Sequence, residues 1–520
     1  MFKEPERIWQ KYSKIKEYCT RKNLYSIVAR NERFYDGDQW IDVNGKEIKT
    51  DMPKPVINVL QRIAKSQISV VSSNDISVSI TPFSNGEQDK MTTDAFSKQV
   101  EKVFEQAKIV ENAKAIVKDA FVDGSAYLLL NFDATVETGQ DMKGIIKSMV
   151  IPNTRMYFGN PYSNDIQSQP FIIVSLRQHI HSVREEAKRL GIKDIDMIHA
   201  DNEQDQVNDD SDDLVTVLVT YYKKNGQVFM CKSVRNLFLM DSIPMGYTRY
   251  PVSCMGWDEI KNSYLYTTPF TSNITNQIFV NKIYAMMQYM MLMLGMPKTI
   301  YDKNKIDIDD FFQNEKQGVV GMDLMGKYLD FIKVPDSSAQ MLPLVNDVIS
   351  KIKESMGSSD ASLGDVKPDN TSAIIALQEA TNQPLELQRQ QYYTFWEDTV
   401  RNIIDIMTTD YNTREIIADE EVALLDFSAL KNINYELNVD IGSGAKYSEI
   451  AQINTADKLF EQQVIDPLTY VEIIPDKYIL AKGKIVEYLK QQKEQADAQM
   501  MMQQQMAQPP MANTGSNPVL

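Results

Sequence analysis

Residues 341–357 read MLPLVNDVISKIKESMG and residues 358–370 read SSDASLGDVKPDN. In the first run Met341, Val345, Val348 and Ile352 recur at four-three-four spacing, which sets them on one stripe of a helix. The stripe stops at Gly357. The second run is small, acidic and turn-forming, with no apolar face, and reads as an exposed loop. A further helical pattern covers Thr371 to Thr409. At about 1.5 Å per residue it would reach about 58 Å, too long for an ordinary globular helix. Pro384 lacks the amide that continues the ladder, so a kink or break is expected there. Beyond it Trp396, Val400, Ile403 and Met407 resume the stripe. A helix pair joined by a polar loop, the second helix long and kinked, reads as an element that presents a loop to something.

Working outward, 520 residues exceed what one hydrophobic core usually organises, so more than one domain is expected. The 43% hydrophobic and 24% charged content is ordinary for a globular protein. A net charge of −16 argues against a protein whose main act is gripping phosphates, because that interaction is cationic and counterion-releasing. Cys19, Cys231 and Cys254 are scattered, without metal spacing or a disulfide framework, which points to a reducing compartment. The start, MFKEPERIWQKYSKIK, lacks the apolar segment of a signal peptide. The most membrane-like run, IYAMMQYMMLMLGM at 283–296, falls short of the ~20 residues a bilayer needs. Its methionines suit either a core helix or an interface that must repack.

In order, residues 4–35 look helical and Asn44-Gly45 suggests a short hairpin. A helix is expected from Val56 to Ser72, a strand from Ile76 to Pro82 and one long amphipathic helix over 88–121. Helix gives way to strand at Asp123-Gly124. Strands are expected at Met149–Tyr157, Phe171–Leu176, Leu214–Lys223 and Val228–Met240, the last two joined by an Asn225-Gly226 turn. A charged helix at His179–Leu190 precedes a solvated acidic loop at 201–213. Residues 264–296 read as helix, 297–334 as mixed, 416–440 as strands, and 447–505 as helix broken at Ile465-Asp466-Pro467. The end, MAQPPMANTGSNPVL, reads as disordered.

Catalytic motifs fail. Gly321 to Lys327 matches most of a phosphate-binding loop, but Tyr328 stands where the magnesium-binding hydroxyl belongs and the following segment is strand-like. Ser362 in DASLG lacks the first glycine of a nucleophile elbow. His179, His181 and His199 with Asp201, Asp205, Asp209 and Asp210 lack the glycine and terminal glutamate of a calcium loop, so a solvated loop is the better reading. The face opposite the apolar stripe carries Asn346, Ser350, Lys353 and Glu354, a polar surface of near-balanced charge.

Taken in order, these segments resemble the portal proteins of tailed bacteriophages, the head-to-tail connectors at one capsid vertex. NERFYDGDQW (31–40) followed by KPVINVL (54–60) is similar to the start of the portal wing, and VKDAFVDGSAYLLLNFD (117–133) to its helix-to-strand step. The resemblance implies an α+β portal fold with an α+β wing, a helical stem, a small mixed clip, a long kinked helix and a helical crown. The wing's N-terminal part would be 1–263, the first stem helix 264–296, the clip 297–335 and the second stem helix 336–356. The tunnel loop would be 357–370, the long kinked helix with wing strands 371–445, the crown 446–507 and a disordered tail 508–520. About twelve copies would close into a ring with a channel for double-stranded DNA during packaging and ejection. The resemblance further implies a non-enzymatic protein with no cofactor or metal, assembled in the host cytoplasm and resident in the virion, with no membrane insertion. Partners would be terminase, head-completion or adaptor proteins, and the major capsid or scaffolding protein. Asn346, Ser350, Lys353, Glu354, Ser358, Asp360, Asp365 and Lys367 would line the DNA channel. Asp307, Asp309, Asp310, Glu315 and Lys316 in the clip would dock partners. The alternatives are another head-tail adaptor or scaffold without its own channel, and a nucleotide-dependent or metal-dependent enzyme that processes nucleic acid, for which ATP turnover abolished by Lys327→Ala would be the sign.

Overall fold

The computed structural model describes residues 4–42, 46–50, 52–72, 76–83, 86–139, 143–201, 213–295, 299–302, 304, 319–322, 329–331, 338–358, 383–418, 421–432, 435–441, 456–460, 462, 464–474, 482, 485, 486, 488 and 489. The chain divides into two units, Met1–Ile441 and Gly442–Leu520.

In the first unit, the helix expected over 4–35 is two: α1 (Pro5–Arg21) and α2 (Leu24–Asp36). Asn23 takes a left-handed φ of 56° between them, so the chain turns instead of continuing. α1 buries Ile8, Trp9, Tyr12, Ile15 and Cys19, spaced as one helical face. α3 (Val59–Val71) is capped by Asn58, whose side chain accepts from Gln61 N at 3.0 Å. The long helix expected over 88–121 is also split, into α4 (Glu87–Gln106) and α5 (Ile109–Asp123), with Lys108 at φ 51°. Neither break carries a proline or glycine, which is why periodicity alone ran through both.

α5 ends where expected. Gly124 has φ +98°, and a Cβ there would stand 2.6 Å from Tyr266 O, so only glycine fits. The chain then enters β2 (Ser125–Asp133), the centre of an antiparallel sheet with β3 (Ile145–Pro152) and β9 (Val252–Gly256). The first six residues of β2 are all buried. An unbroken apolar run replaces alternation because helices pack on this sheet, among them α5 and α9 (Glu386–Asp410).

A second sheet is an antiparallel meander of β4 (Met156–Phe158), β5 (Phe171–His179), β6 (Leu214–Lys224), β7 (Gln227–Ser233) and β8 (Phe238–Pro244). Asn225 and Gly226, at φ 53° and 78°, make the two-residue turn between β6 and β7. The single strand expected over 228–240 folds back on itself, with Val234 N donating to Leu237 O at 2.9 Å. α6 (Ile180–Arg189) covers a small satellite core of Val183, Ala187, Val215, Val217 and Leu239.

The helix expected from Tyr264 begins later. Tyr266–Thr267 is β11, paired with β10 (Asp258–Glu259), and α7 runs Pro269–Gly295. Thr268 Oγ1 accepts from Phe270 N at 3.2 Å and starts it. In the mixed region, β12 (Thr299–Asp302) lies between β13 (Val319–Met322), parallel, and β14 (Leu329–Phe331), antiparallel. Gly321 is therefore inside a strand. α8 is Ser338–Ser355. Pro384 sits in a 3-10 turn, Gln383–Leu385, and α9 starts immediately after it. Residues 371–382, the first part of the expected long helix, lie outside the described residues.

β15 (Thr413–Ala418) and β16 (Glu421–Asp426) form a hairpin, and β17 (Tyr435–Ile441) returns to pair antiparallel with β1 (Ile76–Pro82). The N-terminal segment and the stretch after α9 thus share one core. Trp396, Val400, Ile403 and Met407 are all fully buried, and Trp396 meets Phe104 edge-on at 5.2 Å. In the second unit Asp466 caps α10 (Pro467–Ile473) at the expected break, accepting from Thr469 N at 3.2 Å. Phe460 stacks on Tyr470 at 4.7 Å. No helix among the described residues is long and apolar enough to cross a membrane.

Trp396→Ala should cost about 3–5 kcal/mol by leaving a cavity at this junction. Calorimetry of the full chain would show it as a lower unfolding temperature; an unchanged transition would mean that the two halves do not depend on this contact.

Candidate functional site

α7 carries two different surfaces along its length. In its first half Asn273, Gln277 and Asn281, spaced by four, are all buried. A buried carboxamide must find partners, and these find backbone. Gln277 Oε1 accepts from Val59 N at 3.1 Å and Leu60 N at 3.4 Å, the open amides at the start of α3. Its Nε2 donates to Ile57 O at 2.6 Å. Asn281 Nδ2 donates to Gln39 Oε1 at 2.7 Å, and its Oδ1 accepts from Ile57 N at 3.2 Å. Asn273 Nδ2 donates to Ser355 Oγ at 2.9 Å, at the end of α8. Sequence reading passed over this ladder, although the four-residue spacing of amides in an otherwise apolar helix was its signal.

In the second half the polarity reverses. Met286, Tyr289, Met291 and Leu292 are exposed, Met291 at 69% and Leu292 at 64%. α8 packs along α7, and the Asn273–Ser355 bond sets its end beside the start of α7. Its own start, with Leu342 and Leu344 exposed, is thereby carried toward the apolar end of α7. A globular protein seldom leaves so many large apolar side chains together in water, which marks this end of the pair as an unusually apolar surface.

On α8 the expected stripe is inward: Val345 and Ile352 are fully buried, and Met341 and Val348 are half-buried. Asn346, Ser350 and Glu354 are exposed on the other side, and Lys353 is half-buried. Two residues of this outer face escaped the sequence reading: Asp347 and Lys351 pair at 2.6 Å one turn apart. The hydrogen bond from Lys351 to that carboxylate holds the ammonium above the usual lysine range. Asp347, Lys351, Lys353 and Glu354 together leave the face without net charge.

The helix ends in a glycine cap. Gly357 has φ +67°, its N–H donates to Glu354 O at 2.9 Å, and Ser358 N donates to Lys353 O at 2.8 Å. Gln67 Nε2 donates to Met356 O. This cap turns Ser358 inward to 8% exposure, so the residue expected at the open start of a loop is buried instead. Pro384 packs beside Gly357, 3.2 Å from where a Cβ would stand. The two flanks of segment 359–382 therefore meet. α9 is clamped beyond it: Asp405 accepts from Thr248 N at 2.8 Å and Arg249 N at 2.9 Å, and Arg249 reaches Asp398 at 2.6 Å. Burial pushes the Asp398 carboxyl up, and the Arg249 guanidinium opposes this.

Asp360, Asp365 and Lys367 of the expected loop, and Asp307, Asp309, Asp310, Glu315 and Lys316 of the expected docking segment, lie outside the described residues. Asp201, weighed as a metal ligand, is bound to Arg177 at 2.5 Å. Among the described residues no cluster of three or more acidic, histidine or cysteine side chains is placed to hold a metal.

The family model Phage P22-like portal protein matches residues 21–167, from the end of α1 through α2–α5 and β1–β4. No curated protein matches the chain.

Gln277→Leu should strand the amide of Leu60 and leave Val59 N only its bond to Ile57 O, at a cost of about 1–3 kcal/mol for the group left unsatisfied. Hydrogen exchange would then speed up at those amides; unchanged protection would show that the start of α3 does not depend on Gln277.

Proposed function

From the match of residues 21–167 to the phage P22-like portal protein family, we propose that the chain forms the ring-shaped channel at one capsid vertex through which double-stranded DNA is packaged and ejected. The observation that carries the reading is the apolar end of the α7–α8 pair, exposed in a single chain and suited to burial against neighbouring copies. Each copy would offer this surface to the next, in a heterologous contact that closes on itself at about twelve subunits.

The outer face of α8, with Asn346, Ser350, Lys353 and Glu354, would turn toward the DNA, joined by Asp347 and Lys351. Ring symmetry repeats each charge as a band. A face of balanced charge lets a phosphate backbone pass, whereas a strongly cationic one would hold it by counterion release. The segment with Asp360, Asp365 and Lys367 would reach the DNA from the meeting point of Gly357 and Pro384, as a guide and clamp. Ser358, buried at the cap, would anchor that segment. Recognition of the DNA would be independent of its sequence, and the chain would perform no chemistry on it.

ATP hydrolysis would belong to terminase, docked on 297–335 through Asp307, Asp309, Asp310, Glu315 and Lys316. Head-completion or adaptor proteins would later take its place, and the major capsid or scaffolding protein would hold the ring. The site of action is then the virion's portal vertex, after assembly in the host cytoplasm.

Electron microscopy of the purified chain with mass determination in solution should reveal closed rings of about twelve subunits with a central opening. A Met291→Glu/Leu292→Glu double variant should shift the population toward smaller species while each chain keeps its secondary structure. Monomers of the unaltered chain at every salt concentration would overturn the reading. Separately, deletion of residues 359–369 should leave rings intact but reduce packaged or retained DNA; filled, infectious heads from that deletion would remove the segment's role.

A further inference from the structure

A cleft of about 130 Å³ lies among the α1–α2 turn, the end of α5 and the start of α7. Lys22 and Ile260 are exposed members of its lining, and Asp123, at 9% exposure, is a buried one. The Asp123 Oδ1 atom is buried and accepts no hydrogen bond among the described residues. Thr271, also in the lining, already accepts from Asn31 Nδ2 at 2.8 Å, and Ser263 Oγ accepts from Leu265 N at 3.0 Å. The Thr268 hydroxyl is spent on Phe121 O. Asp123 Oδ1 is thus a buried acceptor without a donor among the described residues, facing a space that holds several water-sized groups.

The charges around Asp123 have one prevailing sign. Glu32 on α2 and Asp119 on α5 act on it, opposed by Lys118, whose ammonium lies 5.0 Å over the Tyr35 ring, and Asp36 in turn acts on Glu32. Lys22 lies 6.0 Å from the centre of the Tyr18 ring. Residues 260–268 and the first turn of α7 add no charged side chain to the lining.

We propose that this cleft binds a single alkylguanidinium or alkylammonium head group, with Asp123 as its counter-ion. A cation with several N–H groups supplies the donor that Asp123 Oδ1 lacks, and a planar guanidinium brings five of them to one site while the lining hydroxyls can accept. The proposal stands independently of ring formation. It carries its own pH signature. Burial, helped by repulsion from Glu32 and Asp119, pushes the Asp123 carboxyl up to about 8. At neutral pH it holds a proton, and a bound cation favours the ionised form, so binding releases that proton. Affinity must therefore rise as pH rises toward about 8 and level off above it.

Two sources share this chemistry: a basic side chain from another copy of the chain, and a free aliphatic amine. Isothermal titration of the full-length protein with butylguanidinium and butylammonium, with tetramethylammonium as a donor-free control, tests the proposal. The first two should bind saturably, one per chain, at pH 8.5, and weaken by roughly tenfold for each pH unit below about 8. Tetramethylammonium should not bind. Asp123→Asn should weaken binding by at least about tenfold without lowering the unfolding temperature. Lys22→Ala, at an exposed position, should tighten binding by roughly two- to fivefold by removing a like charge. Binding by both dissociated and assembled protein assigns the site to free amines, and binding by the dissociated form alone assigns it to a neighbour's side chain. No saturable binding, equal binding of tetramethylammonium, a pH-independent affinity, full affinity in Asp123→Asn, or no gain in Lys22→Ala would each overturn it.

Discussion

The open backbone at the start of α3 has to be satisfied inside the protein, and the Gln277 carboxamide satisfies it. One side chain accepts from Val59 and Leu60 and donates to Ile57, while Asn281 closes the remaining amide of Ile57 and ties in Gln39. Neutral amides can be buried this way because every bond they lose to water is replaced. The first half of α7 is consequently fixed to the N-terminal helices, and through Asn273 to the end of α8.

That anchorage gives the outer half of the pair its meaning. An ordinary surface helix hides its apolar side and shows its polar one. α7 hides amides at one end and shows methionine, leucine and tyrosine at the other. In the proposed ring this anchored helix would offer its apolar end to the neighbouring copy. α8 contributes the complement, with an apolar stripe inward and a charge-balanced face outward.

Beyond α8, a left-handed glycine turns the chain, Ser358 is drawn into the structure, and Pro384 stands against Gly357. α9 is held by Asp398 and Asp405 to the turn that follows the five-stranded sheet. Whatever acts on segment 359–382 therefore pulls on two adjacent, well-anchored points.

Local physics was legible in the sequence. The stripe of α8 and its stop at Gly357, the Asn225-Gly226 turn and the helix-to-strand step at Gly124 all follow from periodicity and from backbone preferences that belong to single residues. The order of segments carried the family resemblance for the same reason, because it needs no knowledge of contacts. Tertiary structure alone decided the rest. Asn23 and Lys108 break helices that periodicity would continue, because the packed helices on either side must change direction there. β1 finds its partner in β17 across most of the chain. The inward turn of Ser358, the pairing of Asp347 with Lys351 and the isolation of Asp123 depend on which groups lie across a gap. A linear pattern of residue types records what each residue prefers; only the fold determines which partner it meets.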